Sequence, residues 1–205
     1  MIELRRDEAV WTLTLNRPDK ANSLTREMLS TIESVAAEAE QACIAALVLT
    51  GTGKVFSAGA DLDEARAGLA TDGVWERVSG RIAALPCLTV AAMNGTLAGG
   101  AFGMALACDL RICVPSAKFF YPVMKLGFLP QPSDPVRMSA LVGPARTSMI
   151  FMASQKVDAA TALSWGLVDQ IVEPEDMDEA VEALTEAVRA APAEIRNGIK
   201  RMIPR

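Results

Sequence analysis

The sequence contains no histidine. That absence removes Ser-His nucleophilic arrangements, histidine metal sites and the side chain that most often carries protons near neutral pH. Its four cysteines, Cys43, Cys87, Cys108 and Cys113, form no C-x-x-C pair and lie in apolar contexts, so buried, reduced thiols are expected, as suits a cytoplasmic protein. No charge-free run reaches membrane-spanning length, and the stretch Met1 to Glu8 carries acidic residues without an apolar core, so neither a membrane span nor an export signal is expected. Positive charge is also scarce. A net charge of −5 argues against a nucleic-acid or anionic-membrane partner, and any anionic ligand must be met locally. Low-complexity runs, repeats and linkers are missing as well.

What is present is the composition of a globular protein: 205 residues, 51% hydrophobic and 22% charged, enough for one domain with a sizeable core. Ala9 to Leu15 alternates as a half-buried strand and stops at Asn16-Arg17-Pro18-Asp19. Met28, Leu29, Ile32, Val35, Ala36 and Ala39 recur at helical spacing behind Thr25, a fitting N-cap. Ala45 to Thr50 and Leu88 to Met93 read as fully buried strands, and this strand–helix–strand alternation implies an α/β fold with crossovers. Leu62 to Gly68, Val74 to Ala84 and Phe102 to Ala107 read as helices, and Leu110 to Val114 as a strand. Tyr121 to Pro135 holds four prolines and is expected to be mostly loop. Helices are then expected over Val136 to Val142, Thr147 to Ala153, Ala159 to Trp165, Met177 to Ala191 and Ala193 to Ile203, with a strand from Leu167 to Val172. The α/β core therefore covers about residues 1–172, and a helical part covers 173–205.

Two turns follow the two buried strands. Val55-Phe56-Ser57-Ala58-Gly59-Ala60-Asp61-Leu62 and Asn94-Gly95-Thr96-Leu97-Ala98-Gly99-Gly100-Ala101 are both rich in small residues, which let backbone N–H groups face outward, and each opens a helix. Such turns offer donors to an oxygen. Together with Leu15-Asn16-Arg17-Pro18, Asn22-Ser23-Leu24, Ala107-Cys108-Asp109-Leu110-Arg111-Ile112 and Ala162-Leu163-Ser164-Trp165-Gly166-Leu167-Val168, in that order along the chain, they make the sequence resemble the crotonase, or enoyl-CoA hydratase/isomerase, superfamily.

The resemblance implies a crotonase-like spiral of ββα units followed by C-terminal helices, with the chain stopping before a further helical segment found in the family. It implies an acyl-CoA thioester as substrate, no metal, no cofactor beyond the coenzyme A of that substrate, and a homo-oligomer, trimeric or hexameric. The N–H groups of Ala60 and Gly100 match the pair that binds the thioester carbonyl oxygen, where fixed donors stabilise the developing enolate. Arg17, Lys20 and Ala21, with the stretch around Ala58, Asp61 and Leu62, match the binding region for the nucleotide end of coenzyme A, and Asp109 and Arg111 match structural positions.

The proton-transfer residues depart from this pattern. Hydratases of the family use two glutamates, and the matching positions hold Gly103 and Val123, neither of which moves a proton. The candidates left are Glu64, which either reaches the site or sits as a solvated charge at a helix start, and Asp134, which either acts as an auxiliary acid or caps the helix after it. Isomerisation, decarboxylation or other enolate chemistry asks less of the missing acids than water addition does. The rival reading is a non-catalytic acyl-CoA-binding or assembly subunit. A serine peptidase of the related Clp type is disfavoured by the absence of histidine.

Overall fold

Ile2-Glu3-Leu4-Arg5-Arg6-Asp7 places half-buried residues only at alternate positions, as an edge strand does. In the computed structural model, which describes residues 1–204, this is β1 (Ile2–Asp7), and it pairs antiparallel with β2 (Val10–Leu15) in register Ile2 with Leu15. The amphipathic α1 (Arg26–Gln41) follows, with the Thr25 hydroxyl accepting from the Met28 N–H as expected. From there the chain repeats one unit. A long strand joins the main sheet, a three-residue strand joins a second sheet, and helix follows.

The first unit is β3 (Ala46–Gly51), β4 (Val55–Ser57), α2 (Leu62–Arg66) and α3 (Val74–Ala84). The second is β5 (Leu88–Met93), β6 (Thr96–Ala98) and α4 (Phe102–Ala107), which continues a short 3-10 turn at Gly99–Ala101. The third is β7 (Leu110–Cys113), β8 (Lys118–Phe120), α5 (Val123–Leu126), α6 (Asp134–Val142) and α7 (Pro144–Phe151). After β9 (Val157–Asp158), α8 (Ala159–Trp165) and β10 (Gln170–Ile171), the chain ends in α9 (Met177–Ala190) and α10 (Ala193–Met202). The main sheet runs β1-β2-β3-β5-β7-β10, parallel except for β1, and the second runs β4-β6-β8-β9. This is the expected spiral of ββα units.

Parallel strands covered on both faces need continuous apolar runs. Ala46 to Leu49 and Val90 to Met93 are buried at every position, with Leu47, Val90 and Ala91 showing no exposed surface. Asp109 and Arg111 behave as framework. The Asp109 carboxylate accepts from the Thr89 N–H and hydroxyl and from Lys200, while Arg111 donates to the carbonyls of Leu167 and Cys108.

Several expectations are corrected. The Tyr121–Pro135 segment is mostly loop as expected, interrupted by the short α5, but α6 begins at Asp134 rather than Val136. A proline in the first helical turn has no N–H that the helix needs, so Pro135 starts α6 instead of delaying it. The strand expected over Leu167 to Val172 shrinks to Gln170–Ile171, because the Leu167 and Val168 N–H groups turn back to the Ala162 carbonyl and close α8. Cys43 is exposed, and burial holds for the other three cysteines. Desolvation pushes the Cys87 thiol up to about 11 and those of Cys108 and Cys113 to about 12, so these three stay protonated and unreactive at neutral pH. Among the described residues no helix is long and apolar enough to cross a membrane.

Candidate functional site

The turn between β4 and α2 is held in place from behind. Asn22, fully buried, donates its amide to the Thr52 and Val55 carbonyls, and its own carbonyl accepts from the Ser57 hydroxyl at 2.8 Å. Ala21 adds a further link, its carbonyl accepting from the Ala58 N–H at 3.0 Å. Leu24 then pairs with the turn as a short parallel bridge: its N–H donates to the Gly59 carbonyl and its carbonyl accepts from the Asp61 N–H. Peptide groups alternate along an extended chain, so the Ala60 N–H between these two bonds faces away from Leu24.

The residue before it, Gly59, lies against the second turn. A Cβ on Gly59, which sits at φ +92°, would lie 3.0 Å from the Ala98 carbonyl oxygen and 3.5 Å from the Gly100 nitrogen. The two small-residue turns therefore touch through backbone alone. Gly100 lies in the first turn of the helical run 99–107, where N–H groups have no intrahelical acceptor. On its other side the Trp75 ring, held by its indole N–H on the Leu69 carbonyl, would meet a Cβ at 3.3 Å. Ala60 and Gly100 are thus brought to one place, flanked by a rigid aromatic wall from α3.

The charged residues matched to coenzyme A are distributed differently. Arg17 donates through Nη1 to the Asp61 carboxylate at 2.8 Å and to the Ser23 hydroxyl and carbonyl. Asp61 in turn accepts from the Asp63 and Glu64 N–H groups and caps α2. The Arg17 hydrogen bond, followed by the backbone bonds, holds the Asp61 carboxyl below its ordinary value. These two side chains therefore brace the first turn from within the protein. Lys20, Ala58 and Leu62 are exposed around the same turn, with 73% of the Leu62 surface accessible.

The Glu64 carboxylate accepts from the Arg26 N–H at 2.7 Å and so caps the start of α1, a half-buried arrangement that differs from a solvated charge at the start of its own helix. Asp134 behaves in the opposite way. The N-cap position of α6 falls on Ser133, and the Asp134 side chain turns inward and is fully buried, so the capping role expected for it does not occur.

There Asp134 Oδ2 accepts from the Tyr121 hydroxyl at 2.9 Å, while Oδ1 has no partner among the described residues. A Cβ on Gly103 would lie 3.0 Å from that Oδ1. The carboxyl fills the space that any side chain at position 103 would need, one helical turn from Gly100. Burial dominates its electrostatics and pushes it up to about 7, with the repulsion of Glu76 adding and the Tyr121 hydrogen bond and Arg137 opposing. Tyr121 is driven far above the ordinary tyrosine range by its own burial and then by Asp134. Val123, the other vacant glutamate position, is half-buried at the start of α5.

Sequence reasoning did not find Glu76, Ser79 or Trp75. Trp75 and Ser79 lie four residues apart on α3 and approach Gly100 and Gly103 respectively, and Glu76 accepts from the Ser133 N–H and hydroxyl. Only the i, i+4 spacing on α3 hinted at a shared face.

Comparison with known proteins bears on this arrangement. Residues 5–203 match the model of a family described as Enoyl-CoA hydratase/isomerase. A short-chain-enoyl-CoA hydratase of Clostridium acetobutylicum is 33% identical over 201 residues, covering 94% of this chain and 77% of that protein. The 1,2-epoxyphenylacetyl-CoA isomerase of Escherichia coli is 30% identical over 196 residues, covering 91% and 75%. Among solved structures, an enoyl-CoA hydratase/isomerase from Pseudoalteromonas atlantica superposes with a TM-score of 0.91 at 27% identity, covering 98% of this chain and 81% of that one.

Proposed function

Because this chain belongs to the enoyl-CoA hydratase/isomerase family, we propose that it binds an acyl-CoA thioester, stabilises its enolate through the Ala60 and Gly100 N–H groups, and moves a proton with one carboxyl group, Asp134. The observation that carries this reading is the unpartnered, buried Asp134 Oδ1 against Gly103. A buried acceptor without a hydrogen bond is destabilising, on the order of 1–3 kcal/mol.

The chemistry then follows from what one carboxyl group does. Taking a proton from the α-carbon of a 3-enoyl thioester leaves a dienolate whose oxygen is met by the two N–H donors, and the same carboxyl, after exchanging its proton with solvent, delivers one to the γ-carbon. The double bond has moved and nothing has been added. Hydration asks for a second group to activate water, and Gly103 and Val123 supply none. A carboxyl group titrating near 7 suits a proton that is both taken and returned at neutral pH.

The enclosed Asp134 favours this enzyme over a subunit that binds the thioester without turnover. The test is a panel of 2-enoyl- and 3-enoyl-CoA thioesters in D₂O, with mass spectrometry following both double-bond position and added mass. Deuterium incorporation with double-bond migration and little water addition is expected. Fast hydration, or binding with no exchange, rejects it.

A further inference from the structure

Asp134 stands at the start of a helix whose first turn is tied to a different part of the fold. The N–H and hydroxyl of Ser133, the residue before it, both donate to Glu76 Oε2, at 3.3 and 3.1 Å. Glu76 lies on α3 between Trp75, which walls Gly100, and the turn that carries Ser79 to Gly103. The same helix that backs the N–H donors thus also fixes the segment that presents the carboxyl.

We propose that Glu76 is the positioning residue of this site: it ties the start of α6 to α3 so that Asp134 Oδ1 faces Gly103, and it places a negative charge beside the Asp134 carboxyl. The groups facing that carboxyl are few. Tyr121 donates a hydrogen bond, Arg137 on α6 contributes a positive charge, Glu76 on α3 a negative one, and α4 (Phe-Gly-Met-Ala-Leu-Ala) has no charged side chain. Repulsion between two carboxylates keeps the proton on the more buried one, which is Asp134. Burial and Glu76 act in the same direction, and the latter is removable by one substitution.

The consequence for turnover rests on Asp134 being the proton carrier, but the electrostatic effect has its own reporter. Tyr121 is the only tyrosine in the sequence. Labelling tyrosine with ¹³C at the ring carbon bearing the hydroxyl gives a single resonance, and its hydrogen bond to Asp134 makes its shift follow the protonation of that carboxyl. In the unmodified protein this resonance is expected to titrate with a midpoint near 7.

Glu76→Gln keeps an acceptor for Ser133 but removes the charge. The midpoint is expected to fall by about half a unit to one unit, and the limb of the pH–rate profile set by Asp134 moves down with it. Glu76→Asp keeps the charge and is expected to hold the midpoint near that of the unmodified protein. An unchanged midpoint in Glu76→Gln, or an equal drop in both variants, overturns the proposal. A resonance that moves while the pH–rate profile stays still upholds Glu76 and instead rejects Asp134 as the proton carrier.

Discussion

Asp134→Asn is expected to slow double-bond migration and deuterium exchange by about 10²–10⁴-fold, with thioester affinity changed only a few-fold. Asparagine fills nearly the same space beside Gly103 and still accepts from Tyr121 through its carbonyl, so shape is kept while the transferable proton is lost. The same substitution has a second signature in stability. A free aspartate titrates near 3.8, and here burial raises it to about 7, so the folded protein holds one extra proton across that window. Stability contributed by this group is therefore complete below pH 3.8 and lost as pH rises through 7, by on the order of 4 kcal/mol at 1.36 kcal/mol per unit.

Chemical denaturation at pH 4 and pH 8 should show that decline in the unmodified protein and a flatter profile in Asp134→Asn. Glu64→Gln provides the contrast. Its carboxylate caps α1 on the Arg26 N–H, so turnover should survive the change. A variant lacking Asp134 that exchanges deuterium at the original rate would move the proton-transfer role elsewhere.

Replacing Gly100 by proline is the second large effect. Proline removes one of the two N–H donors, and losing such a donor typically lowers turnover about 10²–10³-fold, or roughly 3–4 kcal/mol of transition-state stabilisation. Any Cβ at this position comes within 3.3 Å of the Trp75 ring, so proline disturbs packing as well as hydrogen bonding. Gly100→Ala separates the two, since it adds the same carbon and keeps the donor. The expected result is a modest loss for alanine and a loss about 10²-fold larger for proline, with circular dichroism unchanged. Equal losses would assign the effect to packing against Trp75 and remove Gly100 from the donor pair.

Much of the fold was legible because buried parallel strands and amphipathic helices carry long signals. Ala45 to Thr50 and Leu88 to Met93 are unbroken small and apolar runs, and α9 repeats its apolar positions over four turns. The three-residue strands β4, β6 and β8 carry no period at all. Their pairing is imposed by the neighbours, and β4 and β6 lie where the sequence suggested only turns. β1 was hidden for another reason: four of its six residues are charged, as befits a solvent-facing edge strand.

The site divides in the same way. The two turns were legible as small-residue patterns, which report local backbone geometry, and the family resemblance singled out Ala60 and Gly100 within them. Asp134 was visible only as an acid in a proline-rich stretch, with capping and catalysis both open, because the choice depends on a side chain turning toward Gly103, thirty-one positions earlier. Glu76 was invisible, since its partner Ser133 is 57 residues away. The ion pair of Arg17 with Asp61 was equally invisible, for only the fold brings these residues, 44 positions apart, together.

The most direct measurement is a crystal structure with an unreactive acyl-CoA thioester analogue bound. The thioester carbonyl oxygen is expected about 2.7–3.1 Å from the nitrogens of both Ala60 and Gly100, with the α-carbon facing Asp134 Oδ1 beside Gly103. A carbonyl bound away from both nitrogens, or an α-carbon facing Glu64 with Asp134 still sealed behind Gly103, would contradict the account.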